Sequence, residues 1–175
     1  KNFNISTGHA LSSFSGTSFK ELDIQNYTTT QVKYAQDTIV ILSALYGVLK
    51  PLDLVSKHRI DMNNSLPELK EGLYNFWSTE INDYFTNQSS TINLASAEYS
   101  EMIPNTASLI TIHFQIKKNN LLKKIPFHVK KQRGKMLDYL IKNKIENPIK
   151  LKLYSSDGYI FDKELSSKYE YYFIQ

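Results

Sequence analysis

Apolar and polar positions change period several times along these 175 residues. Residues 28–36 open on repeated Thr and predict a short helix with Thr at its cap. "TIVILSALYG" is β-branched and apolar, and predicts a buried strand ending near Ser43. Gly47 and Pro51 break it, so "YGVLKPLD" reads as a loop or one tight turn. "KHRIDM" predicts a short strand. "NNSLPELKEGLYNFWSTEINDYF" predicts the clearest helix: Ser65 and Glu68 form a capping box, and Leu69, Leu73, Trp77, Ile81 and Tyr84 recur at helical spacing. "TINLAS" is a strand, after which Ser96 can cap the short helix "AEYSEMI". "SLITIHFQI" and "LKKIPFHV" read as two strands of a hairpin turning around "KKNN". Lys131 to Lys144 then predicts a helix with Met136, Leu137, Leu140 and Ile141 inward, ended by Asn147 and Pro148. "IKLKLYSSDGYIF" and "KYEYYFI" are the last strands. Strands interleaved with helices, plus adjacent hairpins, imply an α/β or α+β fold, a single domain over 1–175 with a mixed sheet flanked by helices.

Composition adds boundaries. Hydrophobic residues make up 41% and charged residues 22%, the balance of a folded globular chain. There is no cysteine, which excludes disulfides, thiolate metal sites and a cysteine nucleophile, and suits a reducing cytoplasm. No apolar run approaches the roughly 20 residues of a membrane helix, so no membrane association is expected. The first residue is Lys1, which reads as a fragment or a processed chain.

The net charge of +4 conceals an asymmetry. Lys117 to Lys152 holds twelve Lys or Arg and two acids, Asp138 and Glu146, a surplus of +10; the remainder carries −6. A basic segment on a mildly acidic chain suggests a polyanion-facing surface, although a lysine-rich solvated face has the same count. Arginine is used twice only, at Arg59 and Arg133, against nineteen lysines. Its planar fork matters where a phosphate or carboxylate is held in fixed geometry. In "PFHVKKQRGKMLDYLIKNK" the predicted strand-to-helix junction puts Lys130, Lys131 and Arg133 at a helix N-terminus. There, free N–H groups and cations would favour one anion, with Gly134 allowing close approach. The plain alternative is that these side chains run into water over apolar surface.

Five separated motifs, "LSALYGVLKPLDLVSKHRIDM", "LYNFW", "INLASAEY", "KKQRG" and "SSDGYIFD", occur in an order that resembles the YaaA family of peroxide stress resistance proteins. The resemblance runs from about "TTQVKYAQDT" to "GYIFD"; "SSKYEYYFIQ" matches weakly. It implies a bacterial cytoplasmic protein with a compact mixed fold and a positively charged cleft. It also implies DNA binding and a part in limiting oxidative, iron-linked damage. Periodicity and charge imply none of this. The family's N-terminal part, with a helix-hairpin-helix-like element, is expected to be missing here, which would leave the sheet short of a strand and prone to self-association.

Beside that resemblance the motifs keep two readings each. Tyr46 and Lys50 are cleft-rim candidates or plain loop architecture. Arg59 pairs with Asp61 on one strand face, or reaches an anion with Arg133. Ser96, Glu98 and Tyr99 follow a strand, where ligands bind in open sheets, or Ser96 merely caps. Asp157 sits in Asp-Gly, a hairpin-turn signal, or supplies a carboxylate to a basic cleft. His9, His58, His113 and His128 show no metal spacing, and no nucleophile motif is present; no cofactor or metal is expected. Two functions remain open: a DNA-binding stress protein, and an enzyme acting on a nucleotide or nucleobase with Asp157 or Glu98 as acid or base. In either, Arg59, Lys131, Arg133, Ser96 and Asp157 should line one concavity.

Overall fold

The computed structural model describes residues 7–105 and 108–175. In chain order the elements are β1 (Thr7–His9), α1 (Ala10–Ser13), α2 (Thr29–Thr38), β2 (Ile41–Ser43), β3 (Gly47–Leu49) and β4 (Leu54–Ser56). There follow α3 (Gly72–Thr86), β5 (Thr91–Asn93), α4 (Ala97–Ser100), β6 (Leu109–Lys118), β7 (Leu121–Lys123), α5 (Pro126–Asn143), β8 (Ser155–Ser156), β9 (Tyr159–Asp162) and β10 (Glu170–Ile174). Short 3-10 helices cover Phe19–Glu21, Ile24–Asn26 and Pro148–Leu153. The fold class is α+β with a mixed sheet, as the strand and helix pattern predicts. The chain divides into two compact units: 1–14, 35–89 and 95–107 in the first, 15–34, 90–94 and 108–175 in the second.

The first unit holds two small antiparallel ribbons, β1–β4 and β2–β3. The predicted strand does end at Ser43, but the chain turns at once into β3, so "YGVLKPLD" begins as a strand rather than a loop. Gly47 lies at φ 68° and its α-carbon faces the Trp77 ring, leaving no room for a side chain. The indole Nε1 donates to the Ala44 carbonyl at 2.9 Å, which joins α3 to this ribbon. α3 buries Leu73, Ile81 and Phe85. It starts at Gly72 and not near Ser65. Residues 66–71 form successive turns, and Gly72 at φ 77° cannot continue a right-handed helix, so the capping box is not used. "KHRIDM" is not a strand either: Asn64 Oδ1 accepts from the Asp61 N–H at 2.8 Å and its own N–H donates back to the Asp61 carbonyl, closing a turn.

The second unit is built on a six-stranded sheet in the order β5-β6-β10-β9-β8, with β7 paired to the far end of β6. β5, β6 and β10 run parallel; the other pairings are antiparallel. One sheet face carries Ile110, Ile112, Phe114, Tyr171 and Phe173 against Met136 and Leu140 of α5. The alternation predicted for "SLITIHFQI" is the burial pattern of β6. The hairpin expected at "KKNN" is present, with Asn119 and Asn120 both left-handed (φ 52° and 59°), the conformation of a tight two-residue turn. Asp157 (φ 49°) and Gly158 (φ 79°) make the equivalent turn between β8 and β9.

The segment after β7 departs from expectation. "IPFHV" is not a strand; α5 begins at Pro126, with Ile125 extended before it. Proline fits the first helical position because its fixed φ suits the helix and the N–H it lacks would have no partner there. The alternation of Ile125, Phe127 and Val129 was too short to separate strand from helix. α5 ends at Asn143 with Lys144 left-handed, before Asn147 and Pro148. Those two residues start the 3-10 helix Pro148–Leu153 where a strand was expected, the Asn147 side chain accepting from the Ile149 N–H at 3.0 Å.

Candidate functional site

Because α5 starts at Pro126, Lys130, Lys131 and Arg133 lie beyond its first turn. Val129 N–H already donates to the Ile125 carbonyl, so the N–H groups from there onward are inside the helical ladder. An anion site made from free helix N-terminal N–H groups is thus not available to these three cations. Gly134 has another use as well: a Cβ there would stand 2.0 Å from the Ser18 carbonyl oxygen. The glycine lets the 15–34 segment pack directly on the helix, where Ser18 Oγ donates to the Lys130 carbonyl at 2.7 Å. Tyr27 Oη and the Asp23 N–H both donate to Asp138 Oδ1, and Lys142 bridges Asp23 and Asp138 at 3.0 Å each.

What remains at α5 is a surface of side chains. The Asp157 carboxylate, presented by the β8–β9 turn, receives Lys135 Nζ at 2.7 Å on both oxygens and Gln132 Nε2 at 2.9 Å, with Lys131 Nζ at 3.8 Å. The Lys135 bond holds this carboxyl below the usual range, against the opposing effect of burial. Gln132 is almost fully buried; its Oε1 accepts from Tyr154 Oη at 2.9 Å while its amide donates to Asp157. Neither Gln132 nor Lys135 stood out in the sequence. With α5 in its true register, 128, 131, 132 and 135 share a face, and that spacing would have found them.

Arg133 is different from its neighbours. Its Nε is buried and has no hydrogen-bond partner, and among the described residues it makes no ion pair. Desolvation pushes the guanidinium pKa down, the direction expected of a cation removed from water without an anion beside it. Of the cations on α5, Lys131 and Lys135 face the Asp157 carboxylate, which Lys135 and Gln132 already engage, while Lys130 and Arg133 are turned to other faces of the helix.

The remaining candidates belong to the first unit. Ser96 is the N-cap of α4 through its backbone, its carbonyl accepting from Ser100 N–H at 2.7 Å, with no side-chain cap. Glu98 Oε1 accepts from the Met62 N–H at 2.9 Å. Tyr99 is shifted upward by burial and by Asp61 and Glu98, so this corner is acidic. Tyr46 Oη accepts from the Ser56 N–H at 3.0 Å, and its ring meets His58 edge-on. Lys50 Nζ lies 5.6 Å from the Tyr84 ring centroid, and Arg59 is exposed outside any strand, so the shared strand face with Asp61 is lost. Among the described residues, no three His, Asp or Glu side chains could together hold a metal ion, and no helix is long and apolar enough to cross a membrane.

Comparison with known proteins agrees with the motif order. A family model described as peroxide stress protein YaaA matches residues 1–165. A UPF0246 protein of Fusobacterium nucleatum is 39% identical over 171 residues, spanning 95% of this chain and 68% of the relative. One from Crocosphaera subtropica is 36% identical over 186 aligned residues, spanning 100% of this chain and 74% of its own. Another, from Clostridioides difficile, is 33% identical over 173 residues, spanning 95% and 70%. The chain belongs to the YaaA family of peroxide stress proteins.

Proposed function

We propose that this chain binds DNA, with Arg133, Lys130 and Lys131 of α5 on backbone phosphates, and that covering DNA in this way is how it limits iron-linked oxidative damage. The observation that carries the reading is Arg133: a buried Nε with no partner, on a helix crowded with lysine. Burying part of a cation without an anion costs free energy that a bound phosphate would return. The fork of arginine also matches two phosphate oxygens at once, which lysine cannot do. The surplus of +10 between Lys117 and Lys152 would supply the diffuse attraction. Lys50 and Arg59, in the first unit, are proposed as further phosphate contacts. Asp157, ionised and engaged by Lys135 and Gln132, makes a poor proton acceptor, which argues against nucleotide chemistry.

The test is duplex binding across a salt series. Arg133→Lys keeps the charge and loses the fork, so affinity should fall by about 1.5–3 kcal/mol at every salt concentration. Lys163→Ala, at the far end of β9 from Asp157, should only flatten the salt dependence, by up to about one unit of slope. Wild-type affinity for Arg133→Lys, with Lys163→Ala as damaging as Arg133→Ala, means there is no defined phosphate site.

A further inference from the structure

The β6–β7 hairpin has features that the α5 reading leaves unexplained. The ladder between β6 and β10 ends at Gln115 opposite Ile174, and β6 continues to Lys118 with β7 as its strand partner. Every residue from 117 to 124 is exposed. The tip holds two adjacent leucines in water: Leu121 is 61% exposed and Leu122 40%. Four lysines flank them, with Lys118 opposite Leu121 and Lys117 opposite Leu122, then Lys123 and Lys124. Phe127, 63% exposed, follows on the first turn of α5. There is no acid from 117 through 137. The two left-handed asparagines make the turn tight, so the leucines are presented by a stiff ribbon.

We infer that this hairpin is a wedge for nucleic acid, in which Leu121 enters an unstacked base step while Lys117, Lys118, Lys123 and Lys124 take the flanking phosphates. The inference rests on the DNA reading above and narrows it to DNA with an already disturbed stack, such as a bulge. Apolar side chains between cations are how proteins open base steps, and unstacking costs least where the step is already broken. A two-stranded ribbon is narrow enough to enter a groove. An anionic membrane would also attract lysines. Two leucines on a three-residue strand, however, offer far less apolar surface than the long apolar face of an interfacial helix.

The experiment uses the full chain and two DNAs, a perfect duplex and the same duplex with one bulged 2-aminopurine. The wild type should bind the bulged form about tenfold more tightly, the scale of one well-placed contact to a base. It should also raise the 2-aminopurine emission as the base leaves the stack. Leu121→Ser should abolish both the preference and the emission change and leave perfect-duplex affinity in place. Arg133→Lys should weaken both DNAs alike. Leu121→Ala, which keeps the strand apolar, should behave as the serine variant does; retention of the preference in both overturns the wedge. So does a wild type that does not distinguish the two DNAs. Loss of binding to phosphatidylcholine–phosphatidylserine vesicles in Leu121→Ser, with DNA binding unaltered, assigns the hairpin to a membrane and also overturns it. If Leu121→Ser removes the preference while Arg133→Lys binds as wild type, the wedge stands and the α5 phosphate site falls.

Discussion

Gly134→Ala separates two uses of the glycine beside Arg133. A methyl group there would lie 2.0 Å from the Ser18 carbonyl oxygen, 2.8 Å from its carbonyl carbon and 2.9 Å from Glu21 Cβ. Non-bonded heavy atoms rest at roughly 3.5 Å, so the helix and the 15–34 segment must part by more than an ångström. The obstacle is backbone and cannot rotate away. Overpacking of this kind costs about 1–3 kcal/mol, and its backbone character puts it at the upper end. Alanine returns about 1 kcal/mol of helix propensity. The net loss is therefore about 2 kcal/mol. For a unit of this size, that lowers the melting temperature by about 10 °C. The control is Gly16→Ala: nothing lies within 4 Å of a Cβ there and φ is not left-handed, so stability should stay within about 0.5 kcal/mol. Thermal melts followed by circular dichroism measure both. If Gly134→Ala melts at or above wild type, with DNA affinity reduced, the glycine serves ligand approach and the packing argument is refuted.

Further outcomes follow from the same contacts. Tyr154→Phe strands the buried Gln132 Oε1 and should cost about 1–3 kcal/mol in urea denaturation. Gly47→Ala forces a side chain into φ 68° and to 2.7 Å from the Trp77 ring, so the single tryptophan should move toward water and its emission shift red, with at least about 1–2 kcal/mol lost. Asp157 has a folded pKa below its unfolded one, so its pairing stabilises above the unfolded value, about 3.9, and is lost as pH falls through the folded value. Asp157→Asn should then be less stable than wild type at pH 7, by no more than about 1 kcal/mol for so exposed a pair, and equal to it near pH 2.

Where one local signal acted alone, the sequence was legible. Asn119-Asn120 and Asp157-Gly158 announced their turns, β6 its alternation, and Thr28 the start of α2. Where two signals competed, the weaker-looking one prevailed. Pro126 started a helix through residues that also alternate, and Gly72 overrode a capping box seven residues earlier. Those two errors were not equal in effect. The first moved Lys130, Lys131 and Arg133 off a helix terminus and hid Lys135 and Gln132, because side-chain neighbours on a helix follow its register. Pairings such as Gly134 with Ser18 could not be read at all, since they join positions more than a hundred residues apart.

The order of strands has a consequence for synthesis. β10 lies between β6 and β9, yet it follows both in the chain. A ribosome therefore delivers five strands of this sheet before the one that joins its halves. Until Glu170–Ile174 emerges, β6 and β9 each present an open edge, and Phe114 lacks the Phe173 ring that it meets at 5.5 Å. Exposed edges of that kind pair with other nascent chains or are held by chaperones. A ribosome that stalls before Glu170 is made leaves β5–β6–β7 and β8–β9 as two separate pieces of one sheet.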